Sequence, residues 1–216
     1  KPSTVKRLAE LGYLHLWDRP VLRCRQIKPA VVEKPLQLSE SQQKAFAGLK
    51  EQMSGEDPGA ALLYGVTGSG KTSVYIKLIQ QCLDMGKQSV LLVPEIALTP
   101  QLLGLMAAWF GDQVAVLHSS LPAAERYDQW KRIRAMEAKV VVGTRSAVFA
   151  PCPKLGLVIL DEEQEHSYQS ENTPRYNAKE VALWRGLKEK ALVVMGSATP
   201  SVETMYQAKI GTYRLY

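Results

Sequence analysis

Cysteine is scarce in this chain. Cys24, Cys82 and Cys152 are odd in number, far apart and without a CxxC pair, so they predict neither a disulfide framework nor a zinc site and read as small buried apolar residues. Long apolar runs are missing too. The stretch from Leu155 to Leu160, broken by Gly156, falls far short of the ~18 residues that cross a bilayer. The chain does not open on a signal-peptide pattern, and it carries no internal repeat or low-complexity segment. A cytoplasmic protein with no membrane partner is therefore expected. With 46% hydrophobic and 22% charged residues, the composition excludes the disordered, fibrous and membrane classes; it suits one large domain, or one domain with an appendage.

The net charge of +6 is unevenly spread. Residues 1–37 hold eight Lys or Arg against three acids, which leaves the remaining 179 residues close to neutral. This basic leader, with Tyr13 and Trp17 among its charges, reads either as an electrostatic footprint for nucleic acid or as a solvated face. Residues 3–12 predict a short helix closed by Gly12. Residues 13–34 predict two extended segments around Asp18-Arg19-Pro20, and Pro29 and Pro35 mark a linker.

The most specific signal is Gly65-Val66-Thr67-Gly68-Ser69-Gly70-Lys71-Thr72, a complete GxxxxGK[ST] phosphate-binding loop. An apolar strand, Ala61 to Tyr64, enters it and a helix-compatible run, Ser73 to Leu83, leaves it. Gly65, Gly68, Ser69 and Gly70 let backbone N–H groups turn toward phosphates, and the helix start favours an anion. Lys71 is expected to reach the β- and γ-phosphates and the Thr72 hydroxyl to ligate Mg²⁺. The bland alternative is a glycine-rich turn before an ordinary helix.

From Leu38 onward helices alternate with short apolar strands, the pattern of an α/β fold with a parallel sheet between helices. Helices are expected near 39–50, 71–84, 100–110, 122–136, 178–187 and 200–208. Strands are expected near 61–64, 90–93, 114–117, 139–142, 157–160 and 192–195. The fifth strand runs into Asp161-Glu162-Glu163-Gln164-Glu165, four acids in five positions. The carboxyl ends of such strands form the ligand rim, so Asp161 is predicted to hold Mg²⁺ and Glu162 to orient and deprotonate the water attacking the γ-phosphate. For Glu163 and Glu165 the better reading is a preference of acids for a helix N-terminus.

Taken in order, GVTGSGKT, VPEIALTPQ (Val93 to Gln101), GTRSAVFAP (Gly143 to Pro151), LDEEQEHSYQ (Leu160 to Gln169) and GSATPS (Gly196 to Ser201) resemble the motifs of superfamily 2 DNA helicases, and most closely the PriA-type bacterial replication-restart helicases. The resemblance covers residues 38–216 and implies the first RecA-like motor lobe, with ATP and Mg²⁺ as cofactors. It implies that Gln42, with Gln43 as close competitor, reads the adenine edge. It also implies DNA contacts from Thr99, Gln101, Thr144, Arg145 and Ser146, of a kind that positions a strand without reading sequence. Tyr168 to Tyr176, including Arg175, resembles the family's aromatic-rich loop that links DNA occupancy to the ATP site. Its rings and guanidinium could stack single-stranded bases or could simply cover a sheet edge. Ser197 and Thr199 match the motif that couples hydrolysis to lobe movement.

Gln164 departs from the family, which has His there; glutamine still donates and accepts hydrogen bonds but cannot carry a proton. Residues 1–37 resemble the tail of a winged-helix DNA-binding domain plus a linker. Beyond the motor lobe the family continues into a zinc-binding insertion and a second lobe carrying an arginine finger. The implied whole enzyme moves 3′ to 5′ along single-stranded and forked DNA, with primosome proteins and single-stranded-DNA-binding protein as partners; this lobe alone is expected to hydrolyse ATP slowly and not to unwind. Other readings are a RecQ-like or other superfamily 2 repair translocase, a small-molecule P-loop kinase, and a nucleotide-responsive DNA-binding module without turnover.

Overall fold

The apolar runs of this sequence assemble into one parallel sheet. The computed structural model describes residues 2–16, 27–32 and 36–216. After α1 (Pro2–Glu10) and α2 (Glu40–Ser54) the order is β1 (Ala60–Tyr64), α3 (Lys71–Asp84), β2 (Gln88–Leu92), α4 (Pro100–Phe110), β3 (Val114–Leu117), α5 (Ala123–Arg134), β4 (Val140–Gly143), β5 (Leu155–Asp161), α6 (Ala178–Glu189), β6 (Leu192–Ser197), α7 (Val202–Lys209) and β7 (Arg214–Leu215). The strands lie in the order β3-β4-β2-β5-β6-β1-β7, and every neighbouring pair is parallel.

Strand residues alternate between two cores. Ala61, Leu63, Leu91, Ile159 and Val194 face α2, α3 and α4, where Leu49, Met53, Val74, Leu78, Ile79, Met106 and Phe110 close the layer. Leu62, Val90, Leu92, Val158, Leu160 and Val193 face the other way, against Ile133, Ala147, Ala178, Ala182 and Ala208. A sheet covered on both faces needs strands that are apolar throughout, which is why these segments were legible as strands.

The expected α/β fold and its six strands are present within a residue or two. The helix expected to end at 50 continues to Ser54, because Gln52 and Met53 are buried and Met53 belongs to the core. The seventh strand was not predicted: it is only Arg214–Leu215, paired to β1.

In the leader, α1 ends at a left-handed Gly12, with the Gly12 amide donating to Ala9 and that of Tyr13 to Leu8. Val5 and Leu8 of α1, and Leu11 just after it, remain exposed. The segment 27–32 docks on α4: the Ala30 amide donates to the Gly104 carbonyl at 2.9 Å, and a Cβ on Gly104 would stand 3.1 Å from the Lys28 carbonyl. The ribbon expected around Asp18-Arg19-Pro20, together with Trp17, Cys24 and Pro35, lies outside the described residues. Cys82 and Cys152 are buried as expected, and burial pushes both thiols up to about 12.

Candidate nucleotide-binding site

Five loops meet at the carboxyl ends of the strands, and each predicted motif occupies one of them. The loop after β1 holds Gly68 and Gly70 at φ +79° and +80°, left-handed conformations that favour glycine. Gly70 caps α3 without any side-chain hydrogen bond, so the first amides of that helix face the loop. A Cβ on Gly65 would stand 2.8 Å from the Ser69 hydroxyl. The Gly65 amide donates to the Ser197 carbonyl at 3.1 Å, which ties the loop to the end of β6.

Lys71 is folded into this loop. Its ammonium donates to the Gly65 carbonyl at 2.7 Å and lies 4.0 Å from a Glu162 carboxylate oxygen. Gln42, in the first turn of α2, completes a capping box with Ser39 and donates from Nε2 to the Ser69 carbonyl at 2.8 Å. Gln43 instead donates to Leu38. Of the two glutamines, Gln42 is the one that reaches the loop. Beside it a cavity of about 310 Å³ is lined by Gln42, Tyr64, Gly65, Val66, Lys71 and Tyr216.

Asp161 ends β5, and its Oδ1 accepts a hydrogen bond from the buried Tyr75 hydroxyl at 2.9 Å. Burial pushes the Asp161 carboxyl up, with Glu162 adding to the effect and Tyr75 and Lys71 opposing it. Burial, reinforced by Asp161, holds the Tyr75 phenol well above its ordinary value, so it acts as a donor. Glu162 has φ +48°, uncommon for a residue with a side chain, and this turns its carboxylate toward Lys71. Thr72 is the second residue of α3 and Asp161 the last of β5, so a hydroxyl and a carboxylate stand at the two element ends that border the loop. Among the described residues no group of three or more His, Cys, Asp or Glu could hold a metal. That donor set suits Mg²⁺, which takes one or two carboxylates together with substrate phosphates.

From Glu162 a chain of hydrogen bonds leads to the loop after β6. Gln164 donates from Nε2 to Glu162 at 2.9 Å and accepts on Oε1 from the Ser197 hydroxyl at 2.6 Å, while the Thr199 amide donates to that hydroxyl at 2.9 Å. Glutamine thus does what its hydrogen-bonding capacity suggested, bridging the two loops without a titratable proton.

Several expectations need correction. The run after Asp161 begins no α-helix: Glu165 stands just before a single 3-10 turn, His166–Tyr168, and Glu163 takes no part in it. Glu163 is a buried hub that accepts from Lys179 at 2.8 Å, from the Ser201 amide at 2.7 Å and from the Thr204 hydroxyl at 2.9 Å. Burial pushes its carboxyl up, but these donors and the Lys179 charge outweigh it, and the group is held below its ordinary 4.5. Tyr168 is not available for stacking: it is 2% exposed, and its hydroxyl lies 2.6 Å from the Asp161 carbonyl and 3.0 Å from that of Leu92. Thr144 is buried as well, so it presents no surface to a strand.

The other predicted DNA-side residues are distributed as follows. Gln101, Ser146, Arg175 and Thr199 are exposed. Thr99 caps α4, its hydroxyl accepting from the Leu102 amide at 3.3 Å. Arg145 donates to the Ser167 and Gln169 carbonyls and stands over the Tyr176 ring, which meets Phe149 edge-on at 4.9 Å. Arg145 therefore holds the loop that carries Arg175.

Sequence reasoning missed Tyr75, Lys179, Thr204 and Tyr216. Only Tyr75 left a signal: it stands four residues after Lys71 and so on the same helical face.

The DEAD/DEAH box helicase family model matches residues 39–208. The replication restart protein PriA of Bacillus subtilis (strain 168) is 44% identical over 214 residues, 99% of this chain and 27% of that protein. The PriA protein of Treponema pallidum (strain Nichols) is 50% identical over 70% of this chain and 23% of its own length. The chain thus spans about a quarter of the length of these curated relatives. Among solved structures, RecG bound to a three-way DNA junction shares the fold at TM-score 0.62 and 24% identity, over 88% of this chain and 26% of that one. A hypothetical ATP-dependent RNA helicase from Sulfolobus tokodaii does so at TM-score 0.54 and 20% identity, over 83% of this chain and 52% of its own.

Proposed function

The chain belongs to the DEAD/DEAH box helicase family, and from that premise we propose that it is the ATP-binding first motor lobe of a PriA-type replication-restart helicase. The observation that carries this reading is the unbroken path from Lys71 through Glu162 and Gln164 to Ser197, joining the phosphate loop to the loop after β6.

In this reading the Gly68 to Thr72 amides and Lys71 bind the triphosphate, and Gln42 lies beside the cavity that takes the base. Thr72 and Asp161 would hold Mg²⁺, which would offset charge on the phosphate oxygens. Lys71 leaves the Gly65 carbonyl for the β- and γ-phosphates. The Glu162 carboxylate, released from Lys71, orients the attacking water and takes its proton. Gln164 then reports the position of Glu162 to Ser197 and Thr199.

On the DNA side, Gln101, Ser146, Arg175 and the basic leader supply backbone contacts. Residues 1–37 are read as the tail of a winged-helix domain with its linker, and 38–216 as the motor lobe. The longer protein would move 3′ to 5′ on single-stranded and forked DNA in the cytoplasm, with primosome proteins and single-stranded-DNA-binding protein as partners, and any zinc would belong to segments outside this lobe. Among the described residues no helix is long and apolar enough to cross a membrane.

Glu162→Gln tests the assignment. Turnover of ATP is expected to fall about 10²-fold or more, the usual contribution of a general base, while fluorescent ATP still binds. Unchanged turnover would remove Glu162 from the reaction.

A further inference from the structure

Three elements of the site converge on one phenolic oxygen. Tyr75 lies one helical turn after Lys71 on α3 and is 1% exposed. Its hydroxyl donates to Asp161 Oδ1 at 2.9 Å across 86 residues of sequence. In the sheet, Asp161 pairs with Gly196 of β6, and a Cβ on Gly196 would run into the same Tyr75 hydroxyl. The Gly196 carbonyl in turn accepts from the Glu163 amide at 3.2 Å.

This arrangement explains two residue choices. A phenylalanine would fill the same apolar space, so the core alone does not call for a tyrosine. A buried phenol left unpaired costs free energy, and Asp161 is the partner that satisfies it. With Oδ1 engaged by the Tyr75 hydroxyl and the Glu162 amide also donating to the carboxylate, rotation of the Asp161 side chain is restrained from within the protein. Gly196 leaves the space in which the hydroxyl sits.

We propose that Tyr75 is a positioning residue for the metal-binding carboxylate: through its hydroxyl it fixes Asp161 in the orientation that Mg²⁺ requires, and Gly196 is kept small to admit it. The inference rests on the reading of Asp161 as the Mg²⁺ acid. It makes α3 a rigid link, carrying Lys71 and Thr72 at its start and setting Asp161 one turn later. The phosphate loop and the metal carboxylate then cannot shift independently.

The test is binding of fluorescent ADP to this chain, first in EDTA and then across a Mg²⁺ series, for wild type and Tyr75→Phe. Affinity in EDTA should be unchanged within about twofold, because the hydroxyl that the substitution removes bonds to Asp161 and not to the nucleotide loop. The Mg²⁺ concentration that gives half of the metal-dependent gain in affinity should rise about tenfold, the lower end of what loss of an outer partner costs a metal site. A purely structural role would move the melting temperature and leave that requirement in place, and an unchanged requirement overturns the inference. A wild type whose ADP affinity ignores Mg²⁺ overturns the reading of Asp161, and the inference with it. Should Tyr75→Phe fail to fold, Gly196→Ala serves instead: it displaces the hydroxyl without removing it, and the same rise in Mg²⁺ requirement is expected, its absence counting against the proposal.

Discussion

The Glu163 carboxylate and the Lys179 ammonium form an ion pair 2.8 Å apart, with the Glu163 side chain wholly removed from solvent. The pair joins the turn after β5 to α6, and through Ser201 and Thr204 it reaches the start of α7. Three elements behind the loop after β6 are thus pinned to one carboxylate. Replacing Glu163 with Ala leaves the Lys179 ammonium, the Ser201 amide and the Thr204 hydroxyl without their shared acceptor. Breaking a buried pair from one side costs about 3 kcal/mol at the lower end of its range. In a domain of this size that is a fall of about 6–12 °C in melting temperature. Thermal unfolding of Glu163→Ala measures it.

The same group sets an acid limit. Its pKa is lowered by folding, so the stability it contributes is present above the ordinary 4.5 and is lost as pH falls through the lower value of the folded state. Urea midpoints for wild type are expected to decline more steeply below pH 4.5 than those of Glu163→Gln, which has no proton to take up there. Parallel declines would deny Glu163 this role.

Gln164 bridges Glu162 and Ser197 with an amide. Gln164→Ala is expected to leave ATP binding within about twofold and to slow turnover about tenfold, the equivalent of ~1.4 kcal/mol of lost orientation. Gln164→His puts a group with an ordinary pKa near ~6.5 into the bridge, so its turnover should vary between about pH 6 and 8, where this group contributes no variation in wild type. Steady-state ATPase profiles of the two variants decide it.

Gly143 ends β4, where an added Cβ would run into the Leu117 carbonyl of β3 and the Ala147 methyl. Gly143→Ala is therefore expected to destabilise by about 1–3 kcal/mol through overpacking, with no direct effect on the nucleotide loop. Denaturant unfolding should show a lower midpoint, and fluorescent ADP should bind the folded fraction normally.

On the side proposed to meet DNA, Arg175 is exposed while Arg145 is committed to the Ser167 and Gln169 carbonyls of the loop that carries Arg175. Arg175→Ala should weaken binding of a labelled single-stranded oligonucleotide and reduce the salt slope by about 0.7, the value of one phosphate contact. Anisotropy titrations at several salt concentrations test this; an unchanged slope places the contact elsewhere.

Much of this architecture was legible because its signals are local. A strand buried on both faces reads as an apolar run, and the phosphate loop is eight consecutive residues. Asp161 and Glu162 followed from the end of such a run. What escaped depends on contacts distant in sequence. Tyr75 shares the helical face of Lys71, but its partner Asp161 is 86 residues away in sequence. Glu163 sits in an acid run that suggested a helix start, and its donors come from residues 179 to 204. Tyr168 falls in the segment whose resemblance left base stacking and cover of a sheet edge both open, and its hydroxyl is satisfied by the carbonyls of Leu92 and Asp161 at two strand ends. β7 is too short to have a periodicity at all.

Nucleotide binding by the loop after β1 is what the other proposed roles depend on. Titrating this chain and Lys71→Ala with fluorescent ADP in the presence of Mg²⁺ tests it. Saturable binding by wild type, weakened about tenfold or more in Lys71→Ala through loss of charge-assisted hydrogen bonds to phosphate, is the predicted result. Equal affinity in the two proteins, or no saturable binding in wild type, would contradict it.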